Sequence, residues 1–266
     1  PLPVFEAANP DVAAVKAERT RAEYYFTCTA AWICHLFDGD PAFDVLAYLD
    51  ADCCFHASPD PLYNALAIKA VLVAEHGFEA SDASAHAYGR FNVGVIAVRR
   101  SAVGLACMRR WRTQCVEWCH DRVEDGKFAD QKYLDEWPER CGDQLAIAPP
   151  GVNTGPWALA AGTLGRGADG ALTVHGHPLV LYHFQGVRLF HGRHYYPGFY
   201  FPFDPSMVLA WLYEPYVRAL QAAARTWDLR RVPHGRYGLN GWAYRMATGY
   251  WLGRPRLTRL LWLWQR

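Results

Sequence analysis

Short apolar runs separated by Gly, Pro, Ser and Asp recur along the middle of the chain, with longer stretches of mixed apolar and polar positions between them. Apolar runs of this kind bounded by turn residues read as buried strands, and five are present, over 45–50, 71–73, 91–98, 145–147 and 179–183. Helical spacing runs over 10–37 through Val15, Ala22, Tyr25, Ala30, Ile33 and Leu36, before Gly39, Asp40 and Pro41 mark a turn. Ser101 suits the N-cap of a helix reaching 122, with Leu105, Met108, Trp111, Cys115 and Trp118 near one face. Shorter helices are expected over 62–66, behind the Ser58-Pro59-Asp60-Pro61 break, and over 128–137, while the polar segment 77–89 reads as a mobile loop. The pattern turns helical again over 205–227 and is broken over 233–238. Strands alternating with helices predict a layered α/β sheet.

Composition narrows the class. The chain has 266 residues, 52% of them hydrophobic and 15% aromatic, which is the make-up of a folded protein with enough length for a sizeable core. A formal net charge of +1 provides no global field to draw it to nucleic acid. The charge is uneven, however: beyond Asp228 there is no acid, whereas Arg230, Arg231, Arg236, Arg245, Arg254, Arg256, Arg259 and Arg266 alternate with Trp and Tyr. Such a tail is expected to dock on an anionic membrane or a lipid-linked acceptor. Eight scattered cysteines do not suggest a disulfide framework, which favours a reducing, cytoplasmic compartment, peripheral to the inner face of the membrane. Cys115, Cys119 and His120 could be metal ligands, but no second pair follows at zinc spacing.

Chemistry concentrates where the first strand ends, in Asp50-Ala51-Asp52. Residues i and i+2 of an extended segment face the same way, so two carboxylates can converge on one hard cation, with phosphates and water completing its shell. Further polar groups follow at other strand ends. Asn92 and Gly94 lie in Phe-Asn-Val-Gly-Val, Asp130 and Gln131 stand at an expected helix start, Asn153 and Trp157 sit in a Gly-rich loop, and His183 and Gly186 form His-Phe-Gln-Gly.

In this order, Asp-x-Asp, Phe-Asn-x-Gly-Val, Asp-Gln and His-x-x-Gly, the chain resembles nucleotide-sugar glycosyltransferases of the GT-A type. It is most similar to bacterial proteins related to glycosyltransferase family 8. The resemblance covers roughly residues 10–195. It implies a GT-A-like, Rossmann-like catalytic domain over 1–200 and a helical, Arg/aromatic-rich extension over 201–266. It further implies Mn²⁺ or Mg²⁺ held by Asp50, Asp52 and His183 against a donor diphosphate, with Asn92, Asp130 and Gln131 around the transferred sugar; Asp130 and Gln131 are the expected catalytic pair, and Asn92, Gly94, Asn153, Trp157, Gly186 and Arg188 are expected to bind the donor. The implied activity is a retaining transfer of sugar from a nucleotide-sugar donor to a glycan or lipid-linked acceptor. Where family 8 continues to Lys-Pro-Trp, this chain has Val187-Arg188-Leu189, and Arg188 can replace the lysine at the phosphates.

Two other readings use the same residues. A strand followed by Asp-x-Asp also describes the nucleophile and acid/base pair of haloacid-dehalogenase-like phosphatases, although here Cys53 follows and the motif comes late in the chain. Alternatively, the chain is a non-catalytic fragment held at a membrane by its tail. Because the sequence starts at Pro1 and the segment before Asp50 reads mainly as helix, the first strand-helix-strand unit of a GT-A sheet is expected to be missing.

Overall fold

A computed structural model describes residues 1–78, 87–160, 162–189, 195–198, 201 and 203–226. The chain divides into two compact units, Pro1–Ala158 with Gly165–His183, and Leu159–Leu164 with Phe184 onward. That division falls earlier than the domain boundary expected at residue 200. The Arg/aromatic tail lies outside the described residues, as does most of the loop over 77–89.

The first unit carries helices α1 (Leu2–Ala8), α2 (Pro10–Ala14), α3 (Arg21–Gly39), α4 (Asp60–Leu66), α5 (Ala102–Glu117) and α6 (Trp137–Cys141). Its main strands are β1 (Val45–Leu49), β2 (Cys53–Phe55), β3 (Val71–Glu75), β4 (Phe91–Arg99) and β5 (Leu145–Ile147). Four of them form one sheet in the order β1-β4-β3-β5. The fold is mixed α/β: β4 runs antiparallel to both neighbours, and β3 pairs parallel with β5. β4 is buried from Phe91 to Val98, which explains its almost unbroken apolar sequence. Alternation along the strands sorts two cores. Ile96, Val98, Val71 and Val73 face α3 and α5, where Ile33, Phe37, Met108 and Trp111 close over them. Val95, Ala97 and Leu72 face the other way, against Leu62 and Leu66 of α4 and against Val180 and Leu181.

The remaining strands are β6 (Leu164–Arg166), β7 (Leu172–Val174), β8 (His177–Pro178), β9 (Leu181–His183), β10 (Arg188–Leu189) and β11 (Tyr195–Tyr196). β9 pairs antiparallel with β2, and β6, β7 and β8 form a small sheet. In the second unit β10 pairs with β11, and Phe184 stacks on Tyr216 with centroids 3.8 Å apart. Its helices are α7 (Ser206–Val208), a π-helical turn and α8 (Glu214–Thr226), in keeping with the helical pattern expected over 205–227.

Several expectations need correction. The helix expected over 10–37 is broken, because Thr20 and Glu23 form a reciprocal capping box that starts α3 afresh. The helix from Ser101 ends at Glu117, where Trp118 turns extended. Over 128–137 there is a 3₁₀ turn, Lys132–Glu136, and Asp130 lies before it with its carbonyl taken by Trp111 Nε1, so Asp130 does not stand at a helix N-terminus. Cys107 and Cys141 pair as a disulfide between α5 and α6, a single bridge with six other described cysteines free. Cys115 and Cys119 are buried against each other, while His120 turns to Glu23, so these three do not gather as metal ligands. Among the described residues no strand precedes Val45, and no helix is long and apolar enough to cross a membrane.

Candidate metal centre

One edge of the sheet collects the polar residues. The carboxyl ends of β1, β3 and β5 and the amino end of β4 lie there, so the chain leaves β1 at Asp50, leaves β3 at His76 and enters β4 past Asn92. A shift in the β3–β4 register places Val73 opposite Ile96 but Ala74 opposite Asn92, leaving 93–95 as extra residues. Bulges of this sort re-aim side chains and terminate regular pairing. Asp50 N–H donates to the Gly94 carbonyl at 3.0 Å, which fastens the end of β1 to the bulge. After Asp50 the chain turns rather than extending, with Cys53 N–H donating to the Asp50 carbonyl at 3.0 Å. β2 then pairs with β9, placing Cys53 opposite His183. The two acids therefore each reach His183 through a turn, and not through the strand alternation that the sequence suggested.

His183 is 4% exposed, and its Nε2 lies 3.1 Å from Asp52 Oδ1 and 3.6 Å from Asp50 Oδ2. The other face of the ring belongs to a buried polar line whose donors and acceptors are fixed from both ends. At one end the Gly94 N–H, which can only donate, meets Asn92 at 2.8 Å, so that atom is Oδ1. The same oxygen accepts from Asn153 Nδ2 at 2.8 Å, which leaves Asn153 Oδ1 facing His183 Nδ1 at 3.1 Å. At the far end Asn92 Nδ2 faces His76 Nε2 at 3.0 Å, and His76 Nδ1 faces the Gly89 carbonyl, which can only accept, at 3.1 Å. His183 thus holds a proton on Nδ1. In the neutral ring the lone pair on Nε2 then points at two carboxylates, an arrangement that a cation or a second ring proton relieves.

Gly94 is what permits this crowding. A Cβ there would lie 2.4 Å from His183 Nδ1 and 2.7 Å from both Asn153 Oδ1 and Asn92 Oδ1. Asn153 adopts a left-handed φ of 59°, which Asn tolerates better than most residues. Trp157 closes the same side: its Nε1 donates to the His76 carbonyl at 2.8 Å and its ring meets His183 edge-on at 5.3 Å.

Burial dominates the electrostatics, with the neighbouring acids second. Burial raises the Asp50 pKa, opposed by the Tyr48 hydroxyl, which donates to Asp50 Oδ1 at 2.7 Å, and by His183. Asp130, 4% exposed, is pushed up to about 8 by burial and then by the Asp50 carboxylate. His76 is lowered to about 4, mainly by burial, and so remains neutral as the line requires. Cys53 is raised by burial and by Asp50 and Asp52. Two carboxylates and an imidazole are a fitting donor set for Mn²⁺, and the carboxylates also suit Mg²⁺.

Of the residues singled out in the sequence, Asp50, Asp52, Asn92, Gly94, Asn153, Trp157 and His183 gather at this edge, and Asp130 is near enough to Asp50 to feel its charge. Gln131 spends its amide on the Tyr88 carbonyl at 2.8 Å. Gly186 and Arg188 belong to the second unit. His76, Tyr48 and Cys53 were not anticipated. His76 had a readable signal, since it follows a buried strand as Asp50 does.

No family model matches the chain. Uncharacterized protein YfnF of Bacillus subtilis (strain 168) is 30% identical over 196 residues, covering 71% of this chain. This chain spans 64% of the length of that relative. Uncharacterized protein YfnD of the same organism is 24% identical over 221 residues, covering 82% of this chain and 71% of that protein. Among solved structures, a glycosyltransferase involved in the glycosylation of the major capsid of PBCV-1 aligns with a TM-score of 0.40 and 15% identity, over 64% of this chain and 74% of that one.

Proposed function

We propose that this chain is a metal-dependent glycosyltransferase of GT-A-like fold, which moves a sugar from a nucleoside-diphosphate donor to a glycan or lipid-linked acceptor with retention. The observation that carries the reading is the placement of His183, whose Nδ1 faces Asn153 Oδ1 while its Nε2 lies 3.1 Å from Asp52 Oδ1 and 3.6 Å from Asp50 Oδ2. The order of Asp-x-Asp, Phe-Asn-x-Gly-Val, Asp-Gln and His-x-x-Gly in the sequence supports it.

Asp50, Asp52 and His183 would hold Mn²⁺ or Mg²⁺, whose contribution when bound is Lewis-acid stabilisation of the departing diphosphate. Asn153, Asn92 and His76 keep the His183 ring turned toward the carboxylates. Trp157 walls the site and excludes water from one side of it. Asp130 lies toward the sugar, where it can hold a proton at neutral pH because its pKa is raised to about 8, while the amide of Gln131 stays on the Tyr88 carbonyl.

Calorimetry with UDP, GDP, CDP and dTDP, with and without Mn²⁺, tests it. One nucleotide should bind only when the metal is present. Equal binding with and without metal, or phosphate release from simple monoesters with no nucleotide required, would overturn the reading.

A further inference from the structure

Cys53 lies beside the proposed hard-ion ligands and has no part in holding Mn²⁺ or Mg²⁺. It sits directly opposite His183 in the antiparallel β2–β9 pair, and residues so opposed put their side chains on the same face of the ribbon. Asp52 is the residue before it. One ligand atom from each of Asp52, Cys53 and His183 lies within 4.8 Å of the other two, and among the described residues this is the one group of three His, Cys, Asp or Glu side chains that come so close. Its sulfur rests on the Gly94 carbonyl at 3.7 Å, a weak contact that leaves it available.

The dimensions suit a four-coordinate ion. With bonds of about 2.0 Å to N or O and 2.3 Å to S, a tetrahedron has edges of roughly 3.3 Å between N and O and roughly 3.5 Å between N and S. The His183–Asp52 separation is already 3.1 Å, so the sulfur need move by only about one ångström, within reach of a side-chain rotation. Thiolate and imidazole together favour zinc-type ions over Mg²⁺ and Mn²⁺.

We propose that Asp52, Cys53 and His183 form a second, softer donor set, which takes a thiophilic divalent ion such as Zn²⁺ or Co²⁺ in competition with the hard ion. The proposal rests on the reading of Asp52 and His183 as metal ligands. On binding, the Cys53 S–H bond breaks, a metal–sulfur bond forms and the proton passes to water; no electron is transferred. Water or a phosphate oxygen completes the shell, and Asp50 stays outside it.

Cobalt absorption on the whole chain tests this. Co²⁺ should give visible d–d bands together with a near-ultraviolet sulfur-to-cobalt charge-transfer band, and Cys53→Ser should remove the second while keeping the first. The same substitution should weaken Zn²⁺ binding by roughly tenfold or more while changing Mn²⁺ binding by less than about threefold. Visible bands without the charge-transfer band in the unmodified chain overturn the proposal and leave the hard-ion reading standing. A charge-transfer band that persists in Cys53→Ser assigns the sulfur to another cysteine and likewise overturns it. Failure of both Co²⁺ and Mn²⁺ to bind overturns the proposal and the underlying reading together.

Discussion

Two nearly buried histidines in this molecule face carboxylates, and their surroundings differ in what they leave unmet. His120 donates from Nδ1 toward Glu23 Oε1 at 3.2 Å, and its Nε2 meets Arg19 Nη1 at 3.0 Å. Glu23 also accepts from the Asp121 N–H at 2.9 Å and from the Thr20 N–H at 2.7 Å. Every ring nitrogen there faces a partner of the complementary kind. At His183 the internal line uses the only proton of the neutral ring, and two further acids stand against the bare nitrogen. The contrast separates a structural cluster from the proposed binding site more sharply than burial does, since both rings are largely enclosed. The closed cluster ties the start of α3 to the end of α5, while the open one is the proposed cation site.

The largest effect should come from the acids of the open site. Asp50→Asn and Asp52→Asn are each expected to lower metal-dependent nucleotide affinity by more than about a hundredfold, as losing a direct ligand costs more than losing its support. The same calorimetric titration on Glu23→Gln should match the unmodified chain. Equal losses in both clusters would erase the distinction.

Next in size is the support of the open site. His76→Phe removes the acceptor for Asn92 Nδ2 and should weaken Mn²⁺ binding by about tenfold to a hundredfold. Nitrogen NMR of the metal-free protein should then show His183 losing its single Nδ1–H form, a change that a general loss of stability does not produce. Unchanged tautomer and unchanged affinity would mean that the line is mere packing.

How far this could be read from the sequence differs between the two clusters. The apolar runs located the four strands of the main sheet, because β3 and β4 carry their burial in consecutive Val, Leu and Ile residues, but not β2 or the short strands of the smaller sheets. Asp50, Asp52 and His183 were legible as residues at strand ends. Their meeting was not, since it depends on the turn at Ala51 and on the pairing of β2 with β9, which joins segments far apart in the chain. His76 and Asn153 act through atoms supplied by the bulge at Gly94, and a bulge leaves little local mark beyond a glycine. At the closed cluster, Thr20 and Glu23 were a readable capping pair, and the helix drawn through them missed it.

Stability gives smaller effects of opposite sign in the two places. Glu23→Gln should cost about 2 kcal/mol in chemical denaturation, through the lost cap and charge-assisted hydrogen bonds. Burial works against ionisation of Glu23, yet the hydrogen bonds from Thr20 and Asp121 hold its pKa at about 2, below the ordinary 4.5. Its contribution is therefore full above pH 4.5 and lost as the pH falls toward 2. Asp130 behaves in reverse. Its pKa is raised from 3.8 to about 8, so the folded protein binds the proton more tightly than the unfolded chain, and metal-free stability should decline as pH climbs across that interval. Asp130→Asn should flatten this decline, and a denaturation series from acid to mildly alkaline pH without metal would show it.

The claim that His183 Nε2 joins Asp50 and Asp52 in holding a cation for a diphosphate is tested most directly by pulsed electron paramagnetic resonance. The sample is Mn²⁺ bound to the whole chain with the nucleoside diphosphate selected by calorimetry. A directly bound imidazole nitrogen and phosphorus should both couple to the manganese, and His183→Gln should remove the nitrogen coupling. Bound manganese without nitrogen coupling in the unmodified chain, or nitrogen coupling that survives His183→Gln, would contradict the account.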